Sequence, residues 1–211
     1  MKRFITFAVA IILVCGTTAC SAREVFTDVP EDDWAAPYIY ELVDRGVVGG
    51  YGDGTFAPQN YVQRCEYAKM LVNIAGIEIV SSAISPYNDV PSDQWYFSYI
   101  NSALSLITGY TERGTLYFKP EEPATREDVT VAMIKALGVN VKKYSDSDGF
   151  LSERFLDWQS ISSHNRAYVA AAVDMGVITG DMSYGGMPTF RPSDPIIRAE
   201  VVAVLCRAFP D

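Results

Sequence analysis

The sequence predicts an all-α, mainly helical protein made of three diverged helix-loop-helix units. One observation is a spacing that recurs three times: Phe56-Ala57-Pro58 with Arg64 and Glu66, Phe118-Lys119-Pro120 with Arg126 and Asp128, Phe190-Arg191-Pro192 with Arg198 and Glu200. Each arginine then opens a stretch whose apolar residues fall three and four apart, the signature of one buried helix face. A third observation is an aromatic-x-Asp upstream of each loop, at Phe26-Thr27-Asp28, Tyr87-Asn88-Asp89 and Phe155-Leu156-Asp157. Self-similarity at a period of fifty to seventy residues marks a repeat protein.

The carboxyl-terminal helix of each unit begins at its arginine. Tyr67, Met70, Leu71 and Ile74 form the first apolar face, Val129, Met133, Ile134 and Leu137 the second, Val201, Val204, Leu205 and Phe209 the third. Gly76 and Gly138 are natural stops for the first two. The amino-terminal helices follow each aromatic-x-Asp and are expected to run to Gly50, Gly109 and Gly180. Trp34 and Trp95 stand six residues past Asp28 and Asp89; the third copy has Ser163-His164 in that region. The second copy also lacks the helix-terminal glycine supplied elsewhere by Gly46 and Gly176, and drops two residues before Gly109, which points to a distorted groove.

In the first unit the connecting loop, Gly50-Tyr51-Gly52-Asp53-Gly54-Thr55-Phe56, is tight, with Gly52 and Gly54 free to take positive φ. The units span 26–76, 87–138 and 155–209, with a polar insertion at 139–154. One unit has too little surface to bury its own apolar faces, so the three must pack together. Short connectors suit a compact pseudo-threefold body.

Residues 1–22 differ from the rest. Lys2 and Arg3 precede an uncharged run, Phe4–Val14, followed by Gly16, Thr17, Thr18 and Ala19. This reads as a secretion signal, since eleven residues rise only about 16 Å as helix, too little to cross a bilayer. Thr17-Thr18-Ala19-Cys20 resembles a bacterial lipobox, in which Cys20 would carry lipid, although Thr17 stands where leucine is usual; cleavage after Ala19 or Ala22 is the alternative.

Without Lys2 and Arg3 the chain has 15 cationic and 26 anionic side chains, a net charge of about −11. That excess opposes nucleic-acid binding, which needs the opposite sign. Cys65 and Cys206 are the only cysteines beyond the leader, too few for a disulfide framework, and their helix positions differ in height by roughly 10 Å, beyond disulfide reach. Cys65 lies in a first helical turn, where a thiolate is favoured. Asp146-Ser147-Asp148-Gly149 fails as a calcium loop, because Tyr144 and Phe155 occupy the first and twelfth positions; it reads as a solvated loop. His164, the single histidine, has no nucleophile or metal set around it. No catalytic residues, cofactor or metal are expected, and the protein is read as a non-enzyme.

Phe26-Thr27-Asp28-Val29, Trp34-Ala35, the Gly50–Pro58 segment and Arg64-Cys65-Glu66 together resemble the S-layer homology domain, with the second and third copies matching in register. The resemblance implies a three-pronged helical spindle that binds secondary polymers of the bacterial cell wall non-covalently. It implies grooves between prongs that hold sugars bearing a pyruvate ketal, and a place at the cell surface or wall, lipid-anchored to the membrane if Cys20 is modified.

Against that expectation, Arg64, Arg126 and Arg198 carry the binding argument. A cation at a helix's first turn opposes the macrodipole, and three such placements need a reason. A guanidinium beside exposed N–H donors makes a carboxylate site. Alternatively each arginine clips its unit to a neighbouring carboxylate. Glu66, Asp128 and Glu200 read as helix-capping acids, with Thr125 completing a capping box in the second unit and Gln63 and Ile197 replacing it in the others. Asp28, Asp89 and Asp157 are either sugar-hydroxyl acceptors or turn residues. Trp34 and Trp95 offer faces for a pyranose ring, but helix-opening aromatics favour the core; Tyr51, with Gly52, Asp53 and Gly54 in the loop, is the better sugar contact. A lipid-anchored structural protein whose repeats bind another envelope protein is the alternative function.

Overall fold

The computed structural model describes residues 25–81, 84–182 and 186–211. The expected leader, 1–22, and Cys20 lie outside the described residues. Among the described residues the fold is mainly helical. The first unit holds α1 (Ala36–Asp44) and α2 (Arg64–Ile74). The second holds α3 (Phe97–Ser102), a hairpin of β1 (Tyr110–Glu112) and β2 (Thr115–Tyr117), and α4 (Arg126–Ala136). Next come a 3-10 turn at Val141–Tyr144 and α5 (Ser147–Ser152). The third unit holds a 3-10 turn at Trp158–Ser160, α6 (Arg166–Asp174), a short ribbon of β3 (Asp181–Met182) and β4 (Pro188–Thr189), and α7 (Arg198–Ala208).

Glycine sets most helix ends. After α1 the Val47 N–H reaches Leu42 O (2.8 Å) and the Gly46 N–H reaches Val43 O (2.9 Å), with Gly46 at φ 68°. That pair of bonds is the Schellman arrangement, and it repeats after α6 around Gly176, after α2 around Gly76 and after α4 around Gly138. The amino-terminal helices therefore stop well before Gly50, Gly109 and Gly180 rather than reaching them. Without such a glycine, α3 closes after a turn and a half and continues as irregular turns to Ile107. The three later glycines have another task. A Cβ at Gly109 would stand 2.2 Å from the Tyr87 ring, and at Gly50 and Gly180 2.6 Å from Phe26 and Phe155, so only glycine lets the loop cross its aromatic.

Those aromatics pack on the phenylalanine of each Phe-x-Pro, with ring centroids 5.3, 5.2 and 5.6 Å apart for Phe26–Phe56, Tyr87–Phe118 and Phe155–Phe190. Each pair adds about 0.5–1.5 kcal/mol beyond its buried area.

Units are joined by exchange. The amino-terminal helix of each packs on the carboxyl-terminal helix of another: α1 on α7, α3 on α2, α6 on α4. Ahead of the carboxyl-terminal helices, Val62 N–H donates to Ile196 O (3.1 Å), Ile196 N–H to Ala124 O (3.1 Å) and Ala124 N–H to Val62 O (2.8 Å). These three bonds form a closed cycle, and one continuous apolar core runs through all three units.

The 139–154 segment is more ordered than a solvated loop. Asp146 Oδ1 accepts the Gly149 N–H and starts α5, Leu151 is fully buried, and α5 packs on α6. Arg166 bonds Asp148 (2.9 Å), and Tyr144 donates to Asp174 (2.7 Å). The Asp-rich start is a helix cap, a use of aspartate that a search for calcium ligands passes over.

Candidate ligand-binding grooves

The first two N–H groups of each arginine-led helix are not free for an anion. Arg64 and Cys65 donate to Glu122 O and Pro120 O, Arg126 and Glu127 to Asp194 O and Pro192 O, Arg198 and Ala199 to Asn60 O and Pro58 O, all at 2.9–3.0 Å. The expected anion site of guanidinium plus helix N–H is therefore absent, because each helix start is stitched to the loop of the next unit. The guanidinium reaches into that unit as well.

The three arginines, each buried, differ in how completely they are bonded. Arg64 has a partner on every nitrogen: Nε to Phe118 O (2.8 Å), Nη1 to Asp128 Oδ2 (2.6 Å) and the Tyr110 hydroxyl (3.2 Å), Nη2 to Thr108 O (2.7 Å). Arg126 bonds Thr179 O through Nη2 (2.5 Å) and reaches Glu200 through Nη1 at 3.5 Å. Among the described residues Arg198 bonds only Gly49 O, through Nη2 (2.8 Å), with Glu66 Oε1 at 3.9 Å from Nη1. Among the described residues, Nε of Arg126 and of Arg198 are buried without a partner. Burial pulls the Arg126 pKa below its ordinary value, with Glu200 acting in the opposite direction.

Arg198 lines a cavity of about 230 Å³ with Gly49, Tyr51, Glu66, Lys69 and Trp95. Here one unit supplies the loop and acid, the third supplies the arginine, and the second supplies the tryptophan. Arg126 lines a cavity of about 250 Å³ with Trp34, Thr179, Asp181, Glu200 and Arg207, assembled from the three units in the same rotation.

Both tryptophans are 52% exposed, which corrects their assignment to the core. Each precedes its helix and turns outward over the neighbouring unit, with the Lys69 ammonium 5.8 Å from the Trp95 ring centre. Tyr51, half exposed, donates its hydroxyl to Glu66 (2.8 Å), and the Arg198 guanidinium lies 5.0 Å from its ring centre. Burial pushes the Tyr51 phenol up to about 12 against the lowering effect of Arg198, so at neutral pH it is a donor.

Gly52 and Gly54 take φ of 84° and 86°, as the tight loop requires, but neither lines the cavity. Asp53 turns back to accept from the Thr55 N–H (2.9 Å) and hydroxyl (2.7 Å), bonds that hold its carboxyl below the usual range.

Asp28, Asp89 and Asp157 each accept two backbone N–H groups at 2.7–2.8 Å, from Phe56 and Ala57, Phe118 and Lys119, Phe190 and Arg191. These carboxylates hold the Phe-x-Pro corner, whose middle residue takes φ of 55–58° without being glycine. Of the two roles open to them, the turn role is the one these bonds express.

The S-layer homology domain pattern matches residues 25–68, 86–130 and 154–202. The chain belongs to that family. It is similar to the amylopullulanase of Thermoanaerobacterium thermosulfurigenes, 28% identical over 86% of this chain and 9% of the relative. It is also similar to the surface-layer 125 kDa protein of Lysinibacillus sphaericus, 28% identical over 82% of this chain and 14% of the relative. A third similarity is to the S-layer protein sap of Bacillus anthracis, 25% identical over 98% of this chain and 24% of the relative. The chain thus spans less than a quarter of the length of these relatives.

In this S-layer homology chain some groove residues escape a reading by motif. Glu66 and Glu200 serve their helix starts, accepting the Gln63 and Ile197 N–H groups, whereas at Asp128 the cap is Thr125 Oγ1, which accepts the Asp128 N–H, and the Asp128 carboxylate bonds Arg64. Each also faces the arginine of another unit. Tyr110 follows Gly109 as Tyr51 follows Gly50, but the longer second loop hides that match. Lys69 and Arg207 lie on outward helix faces, and no motif marks them. Burial pushes the Cys65 and Cys206 thiols up to about 12, so the thiolate expected at Cys65 is not favoured. Among the described residues no helix is long and apolar enough to cross a membrane, and no group of His, Cys, Asp and Glu is placed to hold a metal ion.

Proposed function

We propose that this chain binds bacterial cell-wall polymer non-covalently, at the cell surface or wall, in grooves between the prongs of a pseudo-threefold spindle. The closed cycle of Val62, Ala124 and Ile196 bonds supports the spindle, since it relates the three units by one repeated step. Relatives named as surface-layer proteins support the location.

The observation that carries the binding reading is Arg198, 6% exposed and bonded through one nitrogen, at a groove whose far wall is the exposed Trp95. A buried guanidinium lacking partners is costly, and a ligand carboxylate meeting Nη1 supplies what Glu66, at 3.9 Å, does not. A pyruvate ketal presents such a carboxylate on a rigid ring, and Trp95 and Tyr51 offer that ring apolar faces. The reading is of a binder rather than an enzyme. It includes export through the 1–22 leader, with lipid on Cys20 as the anchoring variant.

Sedimentation with purified cell walls tests this, using untreated walls and walls stripped of pyruvate by mild acid. Binding to untreated walls alone is the expected result. Equal binding to both rejects the ketal, and binding to neither rejects the wall polymer.

A further inference from the structure

We infer that the three arginine-led junctions are not three equivalent sites: two are ligand grooves, and the junction of Arg64 is an internal lock that takes no ligand. This rests on the wall-polymer reading above and specifies how many sites serve it.

The bonding of the arginines separates them. Around Arg64, two main-chain carbonyls, Asp128 and the Tyr110 hydroxyl occupy all three nitrogens within 3.2 Å. Ring contacts do not separate them: Tyr110 and Phe118 lie 4.8 and 4.9 Å from the Arg64 guanidinium carbon, Tyr51 and Phe56 5.0 and 4.5 Å from that of Arg198. The bonds that a ligand carboxylate would make are already made within the protein, so displacing them gains nothing.

Arg126 and Arg198 are nine-tenths buried, each carries an unbonded Nε, and the nearest carboxylate oxygen stands at 3.5 and 3.9 Å. Each of their grooves also holds an exposed indole, Trp34 or Trp95, which the Arg64 junction lacks. The third unit, which would supply the indole to the Arg64 junction, has Ser163 and His164 instead. The start of α6 there is tied down by Glu127, which accepts from the Ser162 N–H (3.1 Å) and the Asn165 side chain (2.7 Å).

Two sites on one body let a polymer with repeated anionic groups engage both at once, so long chains hold more tightly than short ones.

Titration calorimetry with short soluble fragments of pyruvylated wall polysaccharide counts the sites. Two equivalents per chain are expected for the native protein, one for Trp95→Ala, one for Trp34→Ala and none for the double variant. Both tryptophans are exposed, so these variants keep the fold, and circular dichroism checks that they do. Tyr110→Phe is expected to lower the melting temperature and leave two equivalents. Three equivalents in the native protein, or an equivalent surviving in the double variant, overturns the assignment while leaving the wall-polymer reading intact. No binding by the native protein rejects both.

Discussion

The junction where Arg64 enters the second unit and the groove where Arg198 enters the first begin from the same residue at the same helix position. One is closed and the other open. In the closed junction the loop has grown into the β1–β2 hairpin, the Tyr110 hydroxyl accepts from Nη1 at 3.2 Å, and the short side chain of Asp128 meets Nη1 at 2.6 Å. In the open groove the loop is a tight glycine turn. Glu66, one methylene longer, gives Oε1 to the Tyr51 hydroxyl at 2.8 Å and stands off from Arg198. A repeated Arg-x-acid thus fixes where a cation is placed, while the groups the loop presents and the reach of the acid decide how fully the protein neutralises it.

Stability separates the two most sharply. Arg64→Ala leaves Asp128 and two carbonyls without their buried donor and is expected to cost about 3–5 kcal/mol in urea unfolding. Arg198→Ala removes one carbonyl bond and a distant carboxylate, for about 1 kcal/mol. Equal losses would break the comparison.

Binding should reverse that order. Trp95→Ala is expected to remove one of the two equivalents of wall-fragment binding, while His164→Ala leaves both in the same titration.

Alkaline pH offers a gentler probe of the open groove. Tyr51 is raised to about 12 in the fold, so its neutral form is favoured there and its contribution is complete below the ordinary phenol value near 10. The contribution is lost as pH rises from about 10 through 12. Tyr51→Phe should therefore flatten that part of the stability profile, and Tyr51→Phe tracking the native curve would place the titration elsewhere. Cys65 and Cys206, also raised to about 12, should stay unreactive toward a disulfide reagent at pH 8 until urea unfolds the chain.

The smallest effect belongs to a corner common to all three units. Ala57 sits at φ 55°, where glycine carries no Cβ penalty, so Ala57→Gly is expected to raise stability by about 0.5 kcal/mol. The gain should be independent of wall binding.

What was legible in the sequence was local. The helix faces, the stops at Gly76 and Gly138, the tight loop of Gly52 and Gly54 and the recurring arginines follow from spacing and backbone preference, and the structure has them. Partnership between units was not legible. Nothing in the Arg-x-acid spacing says that Arg64 meets Asp128 rather than Glu66, because identical motifs leave the choice of copy to tertiary packing. Large aromatics at helix starts favour the core, but at Trp34 and Trp95 the residues behind them, Ala35 and Tyr96, fill that place. The start of α5 is ambiguous for a similar reason, since Asp146 and Gly149 serve a cap as readily as a loop.

The cycle of Val62, Ala124 and Ile196 has a numerical consequence. An open stack of repeats has two ends and can lengthen or shorten by one unit at a time. A cycle of donors and acceptors has no end at which to add. A fourth copy would have to open one of the three bonds and re-aim every junction, and loss of one copy would strand the Val62 N–H together with the carbonyls of Pro58 and Asn60. Adding three units together leaves the cycle intact, whereas adding one does not.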